Sequence, residues 1–101
     1  MQNYFFVLLK TGPNNSNDAA KINSAIAGHM ANMKVMINAG KLKLAGPFKG
    51  DPELRGIFII DAASEKELTE LLSKDTAINE GFLLAEIKKW CGPSGIKFDP
   101  D

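Results

Sequence analysis

One cysteine, one histidine, one tryptophan and one tyrosine occur in the 101 residues, and the formal net charge is zero. Each scarcity closes off a class of function. The lone thiol, Cys91, has no partner for an internal disulfide, which suits a reducing cytoplasm better than a secreted scaffold. A single histidine without a cysteine cluster is a poor ligand set, so no metal is expected. Twelve basic residues balanced by twelve acidic ones lack the electropositive footprint of a nucleic-acid binder. The longest wholly apolar run, Phe5 to Leu9, is far too short to span a bilayer. No basic segment precedes that run and no small-residue cleavage site follows it, so it does not read as a signal peptide. A cytoplasmic chain without nucleic-acid or membrane partners is expected. No glycine-rich phosphate loop opens a helix after the first strand, and no cofactor is expected.

What is present is a strong alternation of short elements. Residues 4–10, aromatic and leucine-rich, predict a strand that ends at Thr11-Gly12-Pro13. Asp18, or Ser16 before it, is placed to cap a helix. In that helix Ile22, Ile26, His29, Met30, Met33 and Ile37 recur at steps of three and four, and Gly40 stops it. The methionines in this stripe read as adaptable core filler. Lys41-Leu42-Lys43-Leu44 alternates as a strand buried on one face. Ala45-Gly46-Pro47-Phe48 ends it, and Gly56-Ile57-Phe58-Ile59-Ile60 is a continuously apolar strand. Ser64 and Glu67 form a capping box for a second helix with Leu68, Leu71 and Leu72 as its stripe. Residues 75–81 read as a connection, 82–88 as the last strand, and residues 91–101 as a tail. One domain over residues 1–101 is expected, with its core at about 3–90.

The order strand, helix, strand, strand, helix, strand predicts the ferredoxin-like α+β sandwich, with a four-stranded antiparallel sheet. Its first and third strands should be central, and these are the two that are apolar on both faces. Helices cover only one face of such a sheet, so the second apolar face needs a cover. A second copy of the same sheet would supply it, giving a homodimeric α/β barrel; the alternative cover is the C-terminal tail folding back.

This topology gathers His29, Asp75, Arg55 and the Gly46-Pro47 strand end at one end of the molecule. His29 reads either as a packed core residue or as a proton-transfer group, the more so if a carboxylate fixes its tautomer. Asp75 is the best-placed carboxylate, although a capping or turn role would explain it equally. Arg55 is either a solvated strand-end charge or a counter-charge for an anionic ligand. Gly46 allows close backbone approach and Pro47 enforces the strand end, though hairpin geometry alone would account for both.

Gly28-His29-Met30, Ala39-Gly40-Lys41-Leu42, Leu44-Ala45-Gly46-Pro47-Phe48, Leu54-Arg55-Gly56-Ile57-Phe58, Asp75 to Gly81, and Glu86-Ile87 with Trp90 together resemble the YCII-related proteins. The resemblance runs from the first strand to Trp90. It implies a dimeric α/β barrel with a ferredoxin-like protomer, and a histidine–aspartate pair in a cleft that falls on His29 and Asp75. Where the family commonly has Asp-Pro, this chain has Asp75-Thr76, a departure that removes proline's fixed φ from that loop.

Three functions follow as expectations. The first is a cofactor-independent enzyme of isomerase, lyase or hydrolase type. In it His29 and Asp75 perform acid/base chemistry on a small anionic organic molecule held by Arg55, Gly46, Pro47 and Phe48. The second is a non-catalytic ligand-binding or regulatory domain using the same cleft, haem on His29 being one version of it. The third is a purely structural dimerisation domain.

Overall fold

The computed structural model describes residues 2–93. Its elements are β1 (Gln2–Thr11), α1 (Ala19–Asn38), β2 (Leu42–Pro47), β3 (Leu54–Ile60), α2 (Glu65–Leu72), α3 (Thr76–Asn79) and β4 (Leu83–Gly92). The strands form one antiparallel sheet in the order β2-β3-β1-β4. The doubly apolar strands β1 and β3 are therefore central and the charged strands β2 and β4 lie at the edges. Burial drives this placement, because only a central strand loses solvent on both sides.

Phe5, Val7 and Leu9 of β1, Phe58 and Ile60 of β3 and Leu42 of β2 face the helices. They pack with Met36 of α1 and Leu68 and Leu72 of α2. Successive strand residues point to opposite faces, so Phe6 and Leu8 of β1 share the other face with Ile57 and Ile59 of β3. A charged border flanks that face on β4, where Glu86 meets Lys10 at 3.1 Å and Lys88 at 3.8 Å. These lysines, Lys10 foremost, hold the Glu86 carboxyl below its ordinary pKa.

The start of α1 is secured by Asp18, whose Oδ1 accepts from the Ala20 and Lys21 amides; the Ser16 hydroxyl accepts from Asp18 itself. At its end Gly40 takes a φ of +74°, and the amides of Gly40 and Lys41 donate to Ile37 and Met36. That is a Schellman closure, and it needs a residue free of Cβ strain.

Four sequence expectations are corrected. The buried line of α1 runs through Ala25, Asn32 and Met36, with His29 between them. Ile26 and Met30 are 52% and 56% exposed, and Ile37 is also exposed. Hydrophobic periodicity overlooks a line made of alanine, histidine and asparagine; Asn32 earns its place by donating to the Leu71 carbonyl at 2.9 Å. Of the three methionines of α1 expected as core filler, Met36 is fully buried and Met33 packs half-buried against the core, while Met30 is exposed. Secondly, Leu42 and Leu44 lie on opposite faces, because the register shifts between them and the extra residue reverses the alternation. Thirdly, residues 75–81 contain the short helix α3. Finally, β4 continues past Lys88 to Gly92, placing Trp90 and Cys91 inside the strand. Residues 94–101 of the expected tail lie outside the described residues.

The capping box at α2 forms with one difference. The Ser64 hydroxyl accepts from the Glu67 amide, but the Glu67 carboxylate reaches back to the Ala63 amide at 2.8 Å and also to Lys41. The Ala63 amide first, and Lys41 second, hold the Glu67 carboxyl below its ordinary value of 4.5. Its ionised form is the one that accepts, so this stabilisation is whole above that value and is lost as pH falls through the lowered folded pKa. Glu67→Gln is expected to reduce the acid sensitivity of stability and to change neutral-pH stability little. Urea unfolding at pH 3 and pH 7 checks this, and an unchanged difference between the two would contradict it.

Candidate active site

At the end of the molecule where β1 and β2 finish, α1 stands off the sheet and leaves a cleft of about 580 Å³. Ile22, Ile26, Met30 and Met33 line its helix side, while Leu9, Ala45, Phe58 and Leu83 belong to its floor. The sheet reaches so close to itself here because of Gly56: a Cβ at that position would press on the Gly46 carbonyl. At Gly46 a Cβ would meet nothing within 4 Å, so that glycine leaves cleft space open.

His29 lines the cleft and Asp75 sits behind it. Nδ1 of His29 lies 2.6 Å from Oδ2 of Asp75, with side-chain exposures of 17% and 0%. The other carboxylate oxygen, Oδ1, accepts from the Ile78 amide at 3.1 Å as the N-cap of α3. One carboxylate thus both caps α3 and contacts the imidazole, one oxygen serving each. An ionised carboxylate only accepts, so its partner nitrogen carries the proton, and in the neutral imidazole Nε2 then keeps the lone pair. With Nδ1 committed, Nε2 is the ring nitrogen left for the cleft. The imidazole also stacks on the Phe58 ring, centroids 5.7 Å apart and planes 20° off parallel, which fixes its tilt.

Arg55 lines the same cleft. The β1–β3 register slips beside it: Leu9 pairs with Gly56 but Lys10 with Leu54. Arg55 is the surplus residue, and such a bulge re-aims a side chain. Among the described residues no carboxylate lies within ion-pair distance of it. Gly46 and Pro47 also line the cleft. Phe48 is not among its lining residues: it is 44% exposed, and its amide donates to the Arg55 carbonyl.

The structure therefore brings together His29, Asp75, Arg55, Gly46 and Pro47, and leaves Phe48 outside. Sequence reasoning missed Phe58 as the imidazole's support, Gly56 as the close-approach glycine, and the α1 residues Ile22, Ile26, Met30 and Met33 as cleft wall. The offset of Ile26 and Met30 from a core-facing stripe is visible only once the helix is docked. Among the described residues no three His, Cys, Asp or Glu side chains gather as a metal-binding group.

The fold and the cleft define a ferredoxin-like α+β protein with a histidine backed by a buried aspartate. The YCII-related domain matches residues 4–91, and the chain belongs to that family. Solved structures with the same fold include muconolactone isomerase, at 18% identity and a TM-score of 0.71, covering 95% of this chain and 97% of that one. Another is 5-chloro-2-hydroxyhydroquinone dehydrochlorinase from Burkholderia phenoliruptrix, in complex with 2,5-dihydroxybenzoquinone. It shows 19% identity and a TM-score of 0.59, with 87% and 95% of the two chains covered. No curated protein matches the sequence significantly.

Proposed function

We propose that this protein is a cofactor-independent acid/base enzyme acting on a small organic anion. The observation that carries the proposal is the 2.6 Å contact between His29 Nδ1 and Asp75 Oδ2, which leaves Nε2 to the cleft. A neutral imidazole held in one tautomer accepts a proton at Nε2 and returns it elsewhere on the same molecule. That is the chemistry of isomerisation and elimination at an enolisable carbonyl or lactone. The cleft walls are mainly apolar and Arg55 supplies the positive charge, so the ligand should pair an apolar body with one anionic group, most simply a carboxylate. Gly46 and Pro47 bound the space beside it. Two structural neighbours bear the names of an isomerase and a dehydrochlorinase, reactions of this same general kind.

The protein is further proposed to act as a homodimer in the cytoplasm, its sheet faces packed together. The apolar centre formed by Phe6, Leu8, Ile57 and Ile59 supports this arrangement; the exposed free thiol of Cys91 fits a reducing compartment.

Deuterium uptake from solvent tests the acid/base proposal without knowledge of the natural substrate. A panel of carboxylated lactones and enolisable keto acids is incubated in D2O and followed by proton NMR. At least one compound should exchange faster with the wild-type protein, by about 10²–10⁴-fold over His29→Ala. Equal exchange in the two proteins would sink the catalytic reading. Binding unaffected by His29→Ala, with no exchange in either protein, would favour the non-catalytic ligand-binding domain.

A further inference from the structure

We infer that Thr76 is a positioning residue for the His29–Asp75 pair, an inference that rests on the dyad proposed above. Thr76 directly follows Asp75 and opens α3. Its Oγ1 donates to the Ala25 carbonyl of α1 at 2.8 Å. In an α-helix that same carbonyl accepts the amide of the residue four positions on, which here is His29. One backbone oxygen is therefore shared between the neighbour of the aspartate and the amide of the histidine.

A second contact works with the first. Gly28, the residue before His29, has no Cβ, and a Cβ there would collide with the Thr76 hydroxyl and methyl groups. Thr76 is seated in the gap that Gly28 leaves. Among the described residues, the side-chain hydrogen bonds joining α1 to residues 75–79 are this one and the dyad itself. Without the hydroxyl, the side-chain hydrogen bond left to set the spacing of α1 and residues 75–79 would be the very contact that has to be aligned. A hydrogen bond weakens quickly with distance and misalignment, so the tautomer of His29 depends on this latch. Thr76 is absent from the cleft lining, so it acts through the dyad and not on a ligand.

The test uses the full chain with 15N-labelled histidine and no ligand. Ring-nitrogen NMR reports which nitrogen carries the proton in the neutral imidazole. In the wild type this should be Nδ1. Thr76→Val, equal in shape but lacking the hydroxyl, should give a mixture of tautomers and exchange of the Nδ1 proton about fivefold faster. Thr76→Ser should restore the wild-type spectrum, and amide exchange at Val7 in the sheet should be the same in all three proteins. Gly28→Ala, pressing on Thr76 from the other side, should reproduce the Thr76→Val mixture. If Nδ1 is protonated in the wild type and Thr76→Val leaves it so, the Thr76 proposal alone is overturned. It is likewise overturned if Thr76→Ser is as impaired as Thr76→Val. A wild-type ring protonated mainly on Nε2 overturns the dyad, and the proposal with it.

Discussion

Asp75→Ala is expected to destabilise the protein by about 3 kcal/mol, the largest single effect at the site. It removes a charge-assisted hydrogen bond worth roughly 1.5–3 kcal/mol and a helix cap worth about 1 kcal/mol. It also strands the His29 Nδ1–H against a fully buried position. For a chain of this length the melting midpoint should fall by roughly 15 °C. Asp75→Asn separates the two roles. Asparagine caps a helix as well as aspartate does, so the introduced carbonyl still receives the Ile78 amide. Its NH2 then faces Nδ1 and requires that nitrogen to accept, sending the imidazole proton to Nε2. Stability should fall by only about 1 kcal/mol, while any proton abstraction at the cleft falls by about 10²–10⁴-fold. Thermal melts and ring-nitrogen NMR read the two effects independently. An Asp75→Ala protein that melts with the wild type would contradict the expected cost. An Asp75→Asn protein still protonated on Nδ1 would contradict the tautomer argument.

Placing one carboxylate on the sheet face opposite the helices should have an effect of similar size on assembly. Leu8 sits mid-strand in β1, paired with Ile57 on one side and Glu86 on the other. In a face-to-face dimer Leu8→Glu would bury a charge without a partner, at about 3–5 kcal/mol. That corresponds to roughly two to three and a half decades in Kd. Sedimentation equilibrium at micromolar concentration should show a wild-type dimer and a Leu8→Glu monomer. Val35→Glu, on the exposed side of α1, should leave the dimer intact. A monomeric wild type would end the dimer proposal, and a Leu8→Glu dimer as tight as the wild type would move the interface off the sheet.

Much of the fold was legible in the sequence because burial leaves its mark on composition. Gly56 to Ile60 is apolar at every position after the glycine, as only a central strand can be, and Lys88 and Lys89 mark β4 as an edge. The details of α1 were less legible. Apolar periodicity assigns Ile26 and Met30 to the core, whereas the chain seats small Ala25, Gly28 and polar Asn32 there so that α1 can approach α2 and α3. Four residues, Thr76 to Asn79, are too few for a period, so α3 left no signal beyond its cap. At the site, His29 stood out because it is unique. Its pairing with Asp75 bridges 46 positions; topology made Asp75 the best-placed carboxylate and the family resemblance made it the specific partner, since no local pattern encodes the pair. The bulge that frees Arg55 arises from strand pairing, and the Phe58 stack from side-chain packing, neither of which is written in consecutive residues.

The double use of Asp75 has a consequence for how this protein would change over generations. Any lineage that lost the carboxylate would first meet a folding defect at α3, whatever became of its chemistry. A relative without any catalysis would therefore still tend to keep the aspartate. Its presence in a relative is a mark of a sound fold, and only secondarily of a living activity. Losing His29 would in turn leave a buried Asp75 oxygen without its partner, so Arg55 is the site residue whose loss the fold would not register. Its fate is the better record of whether the cleft still holds an anion.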